Sequence, residues 1–111
     1  MNHSEYTQTM NSLINSAYEE LKRDDTQELS DIVHEIADGH QWVIYYGMAW
    51  DFVSFVRLHD FDEYLEAQNI LEDIGEFCHE LDTLMTKMAY WLIFNIVLGS
   101  VEERLDEEAS A

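Results

Sequence analysis

The chain has 111 residues, of which 47% are apolar and 13% aromatic, so it is long enough for one folded domain and too hydrophobic to be disordered. Its 24 acidic residues against five basic ones give a net charge of −19, which argues against direct binding to nucleic acid or to an anionic membrane and favours a basic partner. Cys78 is the only cysteine, so no intramolecular disulfide can form and a reducing compartment is expected.

The first residues lack the basic start and apolar run of a signal peptide. The most apolar windows, Trp42–Phe55 and Met88–Leu98, are shorter than a bilayer span. We therefore expect a cytoplasmic protein that does not bind membranes.

The absence of proline and the presence of four glycines favour long helices. We predict a single all-α domain over residues 1–111, a compact bundle of four to five helices. Helix 1 is predicted from Glu5 to Lys22, with Ser4 as its N-cap. Asp25 and Glu28 are spaced like a cap pair that opens helix 2, which is predicted to run to Ala37 and to stop at Gly39.

The segment Gln41–Leu58 is apolar on nearly all sides and is predicted to be a buried central helix. A strand over Trp42–Tyr46 is the alternative, but no second β segment exists to pair with it. After a loop at 59–61, helix 4 is predicted over 62–80 and helix 5 over 82–106, and the sequence leaves open whether these two are continuous. Because two segments are apolar on most sides, we predict a homodimer with helix 5 and part of helix 3 at the interface.

The stretch from Asp24 to Asp38 carries a ladder of acids. If the whole stretch is helical, its carboxylates fall within an arc of about 80°, opposite an apolar face. These acids are Asp24, Glu28, Asp31, Glu35 and Asp38. No base lies between them, and like charges at this spacing destabilise a helix by about 0.2–0.5 kcal/mol per pair. The ladder therefore indicates that the negative field has a function.

A second row is predicted along the outer side of helix 4, flanked by Glu63 and Glu72. It comprises Asp62, Glu66, Asp73, Glu76 and Glu80, and further acids follow at the carboxyl end. One interpretation is a solvated surface on an acidic protein. The other is a mimic of duplex DNA, since 19 negative charges equal the phosphates of about 9 to 10 base pairs.

Other chemistry is weakly indicated. The pairs Glu76/His79 and Asp31/His34 have the Glu-x-x-His spacing of bundle metal sites or a close variant, but helical geometry turns them away from the apolar faces. Cys78 lies on a predicted apolar stripe, and no phosphate-binding loop or nucleophile motif is present. We expect neither an enzyme nor a bound cofactor or metal. The aromatic residues of 42–50 and 90–91 are interpreted as core and dimer interface in preference to a base-stacking platform.

Residues 16–22, SAYEELK, resemble the first helix of the Ocr-like phage antirestriction proteins. The second helix of these proteins and the segment after it are similar to residues 29–38, LSDIVHEIAD, and the following Tyr45 and Tyr46. The resemblance implies a small, dimeric, all-helical mimic of bent DNA that occupies the DNA site of type I restriction enzymes. It further implies a set of phosphate-mimicking acids: Glu19, Glu20, Asp24, Asp25, Asp31, Glu35 and Asp38. The chain departs from the family in its central segment, which is apolar where the family's is acidic.

We therefore expect a phage or mobile-element inhibitor that blocks a host defence nuclease by mimicking DNA, acting in the host cytoplasm. Its partner would be a basic DNA-binding protein such as a restriction or CRISPR enzyme. Three alternatives remain: an anti-CRISPR inhibitor of a nucleic-acid-binding effector, an acidic helical adaptor that docks through apolar contacts, and a carboxylate-rich metalloenzyme.

Overall fold

The last helix is the central element of the structure, because it contacts each of the other five. The computed structural model describes residues 1–110, and these contain six helices and no strand. The helices are α1 (His3–Arg23), α2 (Leu29–Asp38), α3 (Gln41–Ile44), α4 (Tyr46–His59), α5 (Phe61–Asp73) and α6 (Leu81–Ala109). The predicted all-α class is confirmed, but the bundle has six helices, more than the four to five predicted.

The core forms around one face of α6. Its fully buried side chains include Met88, Leu92, Ile93 and Val97, and they pack with Phe52 of α4 and with residues of α1, α2 and α5. By length and composition, helix α6 is long and apolar enough to span a membrane. The shorter apolar window Met88–Leu98 had not indicated this. Within the folded chain its apolarity is accounted for by contact with the other five helices.

Helix α1 begins earlier than predicted. Asn2 is its N-cap, and the Asn2 Oδ1 accepts a hydrogen bond from the Glu5 backbone N–H at 2.8 Å, so the predicted cap, Ser4, lies inside the helix. Helix α2 begins later than predicted. Its N-cap is Glu28, whose side chain makes no capping bond, and the predicted cap pair of Asp25 and Glu28 is wrong.

The single helix predicted over 41–58 is two helices, because Tyr45 has extended backbone angles, with φ −98° and ψ 121°. The His40 side chain caps the first of them by accepting from the Trp42 N–H at 3.1 Å. The segment is also not buried throughout. Trp42 and Phe52 are core residues whose rings stack 4.6 Å apart, whereas an exposed run lies between them. We call this run the aromatic patch; its exposed side chains are Ile44, Tyr45, Tyr46, Met48 and Trp50.

Helices α5 and α6 are separate, because α5 ends seven residues before the predicted end. Gly75 has a positive φ of 74°, a conformation that glycine adopts without a Cβ penalty. The Glu76 N–H donates to the Leu71 carbonyl at 2.9 Å and the Gly75 N–H to the Glu72 carbonyl at 3.2 Å. This pair of bonds is a Schellman motif, which satisfies the last carbonyls of α5. The predicted loop at 59–61 shrinks to Asp60, since α5 begins at Phe61.

Candidate functional site

The acids of α2 lie on its solvent side, as predicted, but the ladder is shorter than the sequence suggested. Asp31, Glu35 and Asp38 are exposed on the helix, opposite the buried Ile32 and Val33. The lower end of the predicted ladder, Asp24 to Glu28, is not helical. Hydrogen bonds from Thr26 to the Asp24 side chain account for this difference.

Asp24 is held in a turn. Its Oδ1 accepts from the Thr26 backbone N–H at 3.1 Å and from the Thr26 hydroxyl at 2.6 Å, and these two bonds lower the pKa of the Asp24 carboxyl. A side chain that bonds its own neighbouring backbone competes with helix formation. Asp24 is partly buried, while Asp25 and Glu28 are exposed in the same connection.

On α1, Glu19 is exposed and without a basic partner, whereas Glu20 pairs with Arg23 at 3.0 Å. On α5, Asp62, Glu66 and Asp73 are exposed and fall within an arc of about 40° by helical geometry. The second predicted row is therefore present over α5, although its last two members lie beyond the helix.

Glu76 and Glu80 belong to the α5–α6 connection. Glu80 is the N-cap of α6. Its carboxylate accepts from the Thr83 N–H at 2.8 Å, the Asp82 N–H at 3.2 Å and the Thr83 hydroxyl, and the bonds to Thr83 are the main reason that the pKa of Glu80 is lowered. Glu80 is thus an exposed acid with a structural role.

Two shallow depressions lie beside the α2 acids, and one of them reaches the α5–α6 connection. One is lined by Glu28, Asp31, His34 and Glu35, among others. The other has a volume of about 440 Å³, and its lining includes His34, Asp38, Glu76, Lys87, Tyr90 and Trp91. Because His34 lines both, the acids form a continuous strip. We call Glu28, Asp31, Glu35, Asp38 and Glu76 the acidic strip.

His34 and Lys87 are the basic groups of the larger depression. The His34 Nδ1 lies 2.6 Å from the Tyr90 hydroxyl, and the Lys87 Nζ donates to the Glu76 carbonyl oxygen at 3.4 Å. Burial, with a smaller contribution from Asp38, raises the pKa of Tyr90. Lys87 makes no salt bridge within residues 1–110, although it lines the same depression as Asp38 and Glu76.

Three of the five basic residues, Lys22, Arg23 and Arg104, lie around the last turns of α1. The Arg104 guanidinium lies over the Tyr18 ring, 3.9 Å from its centroid, and Lys22 pairs with Glu108 at 3.2 Å. Tyr18 also donates to Glu108. These contacts fasten the carboxyl end of α6 to α1. Over residues 1–110, which include all 24 acids, three acids make salt bridges: Glu20, Asp51 and Glu108.

The metal and nucleophile candidates change their setting. Glu76, Cys78 and His79 lie in the α5–α6 connection, so the helical Glu-x-x-His geometry considered for them does not exist. Cys78 is partly buried, and its Sγ contacts the Glu80 carbonyl at 3.6 Å. Within residues 1–110, no three His, Cys, Asp or Glu side chains are placed to hold a metal ion together.

The aromatic residues of 42–50 were interpreted as core and dimer interface; Trp42 lies in the core, whereas Tyr45, Tyr46 and Trp50 are exposed. A cavity between α5 and α6, whose lining includes Glu63 and Asn95, has no counterpart in the sequence analysis. Their positions 32 residues apart give no sequence signal that they meet.

Comparisons with protein-family models, with curated proteins and with solved structures found no match.

Proposed function

We propose that this protein is a DNA-mimic inhibitor, which occupies the DNA-binding site of a host defence nuclease by presenting carboxylates in place of phosphates. The observation that carries the proposal is the state of the acids. Eleven of the thirteen predicted phosphate mimics are exposed, and Glu20 alone among the thirteen makes a salt bridge within residues 1–110. A solubilising surface does not require this imbalance, because interspersed bases would serve solubility and add stability.

The dimensions suit a short duplex. The Cα atoms extend over 44 × 31 × 23 Å, and the long dimension equals about 13 base pairs at about 3.4 Å per pair. The acidic strip covers α2 and the α5–α6 connection, and the acids of α5 form a separate exposed row. A cationic groove that holds DNA would meet carboxylates along the strip and would attract the protein from a distance.

A competition experiment tests the proposal. Purified protein is added to a type I restriction enzyme and to a CRISPR nuclease, and DNA cleavage is measured against increasing DNA and increasing salt. We expect inhibition that excess DNA relieves and that weakens between 50 and 200 mM salt, as expected of contacts between opposite charges. Inhibition indifferent to salt and to DNA concentration would contradict the proposal. A response to only one of the two enzymes would identify whether the target is a restriction or a CRISPR enzyme.

We include a homodimer in this proposal, but its interface differs from the one expected from the sequence. Helix α6, which was predicted to lie at the interface, contacts each of the other five helices, and its large apolar side chains beyond Leu81 are less exposed than those of the aromatic patch. Its five side chains are 37–60% exposed, so at about 100 Å² each they would bury about 1,000 Å² between two copies, near the lower limit for a specific interface. A dimer would also double the length of the acidic surface.

The aromatic patch favours a second candidate function, an acidic adaptor that docks on its partner through apolar contacts. Segment 41–50 contains no charged residue, so salt would change such docking little. The two functions are distinguished by partner capture in a salt gradient. A partner released at moderate salt fits the DNA mimic, and a partner retained at high salt fits the adaptor.

A further inference from the structure

The outer face of α5 carries exposed apolar side chains in addition to its row of acids. Phe61 and Leu65 lie on adjacent turns and are 49% and 38% exposed, and Leu58 at the end of α4 is 78% exposed. The side of α5 that packs in the core carries the fully buried Ala67 and Leu71. By helical geometry the apolar pair of α5 lies about 120° from this buried side, so it faces solvent. We call Leu58, Phe61 and Leu65 the corner patch.

The two flanks of the corner patch differ in charge. One flank is the acid row of α5: Asp62, Glu66 and Asp73. By helical geometry this row lies about 100° around the helix from the apolar pair, which is about 8 Å at a radius of about 5 Å. None of the three acids makes a salt bridge within residues 1–110. On the other flank lies Tyr64, and the Arg57 guanidinium is 5.5 Å from its ring centroid. A ligand that covers the patch therefore meets carboxylates on one side and a cation on the other.

The Phe61 ring is supported from within the chain. It stacks on the Tyr64 ring, with 5.7 Å between the centroids and 19° between the planes. Tyr64 is itself partly buried. A side chain that is already ordered loses little freedom when a partner covers it, so less binding free energy is lost on docking. The centre of the corner patch is therefore preorganised for contact.

Charge and area together indicate what covers the corner patch. A second copy of this chain would bring a further net charge of −19 and the same acids to the contact. The three side chains of the patch would bury about 600 Å² between two copies at about 100 Å² each, which is below the about 1,200 Å² of the smallest specific interfaces. A basic partner is attracted where a second copy is repelled, and its contact with the acid row adds to the small apolar area.

We propose that the corner patch and the acid row of α5 bind an amphipathic helix of the basic partner. Apolar side chains of that helix cover Phe61 and Leu65, as in other complexes in which a helix docks through apolar residues three or four positions apart. Its lysines and arginines face the acid row. Because Arg57 would repel bases on the other flank, the preferred helix carries its bases on one flank of its apolar stripe only.

This contact would give the protein an advantage over DNA for the same partner. The phosphates of DNA can attract the bases of the helix, but they offer no apolar surface to its other side chains. That the helix belongs to a nuclease rests on the proposed function, whereas the binding of such a helix to α5 does not.

The test uses the full-length chain, labelled with ¹⁵N, and three synthetic peptides of about 18 residues, which span about 27 Å as helices. All three contain the same numbers of leucine, lysine and alanine. In the first peptide the lysines follow one flank of a leucine stripe, in the second they follow both flanks, and in the third the order is scrambled so that no stripe forms. We expect saturable amide shifts centred on residues 58–66, and an affinity that falls in this order by about tenfold or more from the first peptide to the third.

A double variant removes the apolar part of the contact. Phe61→Ser with Leu65→Ser is expected to weaken binding of the first peptide about tenfold or more. The matched control is Ile74→Ser with Leu81→Ser, which removes two exposed apolar side chains outside the patch and is expected to leave the affinity within about twofold. Circular dichroism checks that helix content is unchanged, and Leu65→Ser alone is the milder substitute if the double variant does not fold.

A second double variant removes the charged part. Asp62→Asn with Glu66→Gln is expected to weaken binding by about 2- to 30-fold, as for the loss of two exposed ion pairs. Its control, Glu102→Gln with Asp106→Asn, makes the same change in net charge on exposed positions of α6 and is expected to leave the affinity within about twofold.

Equal affinity for the scrambled peptide, shifts centred outside α5 and the end of α4, or equal losses in a variant and its control would overturn the proposal. A change in sedimentation of the apolar variant without a change in peptide binding would also overturn it, and would assign the patch to a contact between copies. If the first peptide binds as expected but no nuclease is inhibited, the proposed function fails and the helix-binding face stands. If a nuclease is inhibited and no peptide binds, the face fails and the proposed function stands.

Discussion

Neutralising the three acids of α2 separates their effect on the fold from their effect on a partner. The variant combines Asp31→Asn, Glu35→Gln and Asp38→Asn, all at exposed positions of one helix face. Glu35 faces Asp31 four residues away and Asp38 three residues away, so the variant removes two like-charge pairs. At about 0.2–0.5 kcal/mol each, their removal stabilises α2 by about 0.4–1 kcal/mol.

The helix dipole does not change this sign. Asp31 is in the first turn of α2, where a negative charge is favourable, and Asp38 is the last residue, where it is unfavourable. When both charges are lost, these two contributions to the stability of the helix approximately cancel. The melting temperature of the variant should therefore rise by about 2–4 °C, as expected of a domain of this size.

Binding should change in the opposite direction. If each carboxylate meets a cation at an exposed interface for about 0.2–1 kcal/mol, the three together contribute about 0.6–3 kcal/mol. Half-maximal inhibition of DNA cleavage should then need about 3- to 150-fold more of the variant, and the difference should shrink at high salt. The matched control, Glu102→Gln with Asp106→Asn and Glu107→Gln, makes the same change in net charge at the far end of α6. Equal losses in the two triple variants, no loss in either, or a lower melting temperature for the α2 variant would refute the reasoning.

Three further predictions concern the fold and its assembly. Leu92→Ala, at a fully buried position of α6, should lower the free energy of unfolding by about 2–5 kcal/mol in a urea titration. Glu80→Ala should lower the melting temperature at pH 7 by loss of the α6 N-cap. Because the folded-state pKa of Glu80 is depressed, this difference should be present above pH 4.5 and disappear as the pH falls further, and a constant difference down to pH 2 would contradict it. Tyr46→Glu in the aromatic patch should give monomers by sedimentation velocity, and dimers that persist in the variant would place the interface elsewhere. Salt should strengthen the dimer of the unaltered chain, because it screens the repulsion between the two negatively charged copies.

The sequence predicted the helical class, the helix α1 and the end of α2 near Gly39 because these depend on periodicity and local signals. It failed where a short-range bond or a single backbone angle decides the outcome. Asp24 bonds Thr26 and keeps the start of the ladder out of α2. Tyr45, in a run of residues that favour extended backbone, separates α3 from α4. The positive φ of Gly75 ends α5. This glycine was a signal for the end of the helix, but the apolar periodicity that continues beyond it predicted a longer helix.

The candidate site was predictable only in part, for a related reason. Exposure of the α2 and α5 acids follows from helical spacing, so the acidic rows could be listed from the sequence. The roles of individual acids could not, because they depend on tertiary contacts. Glu80 caps a helix, Glu20 pairs with Arg23, and Glu63, which appeared only as a flanking residue, lines the cavity. Spacing identifies which acids share a face, but not which of them already have partners.

The acidic strip is unfavourable for the isolated chain, because it places like charges on adjacent turns of α2. A cationic partner would compensate these charges. By mass action, such a partner should raise the melting temperature of this protein by an amount that grows with the ratio of its concentration to its Kd. The α2 triple variant should reduce that gain, while the α6 control variant should preserve it. An equal gain for the two variants would place the contact outside the acidic strip.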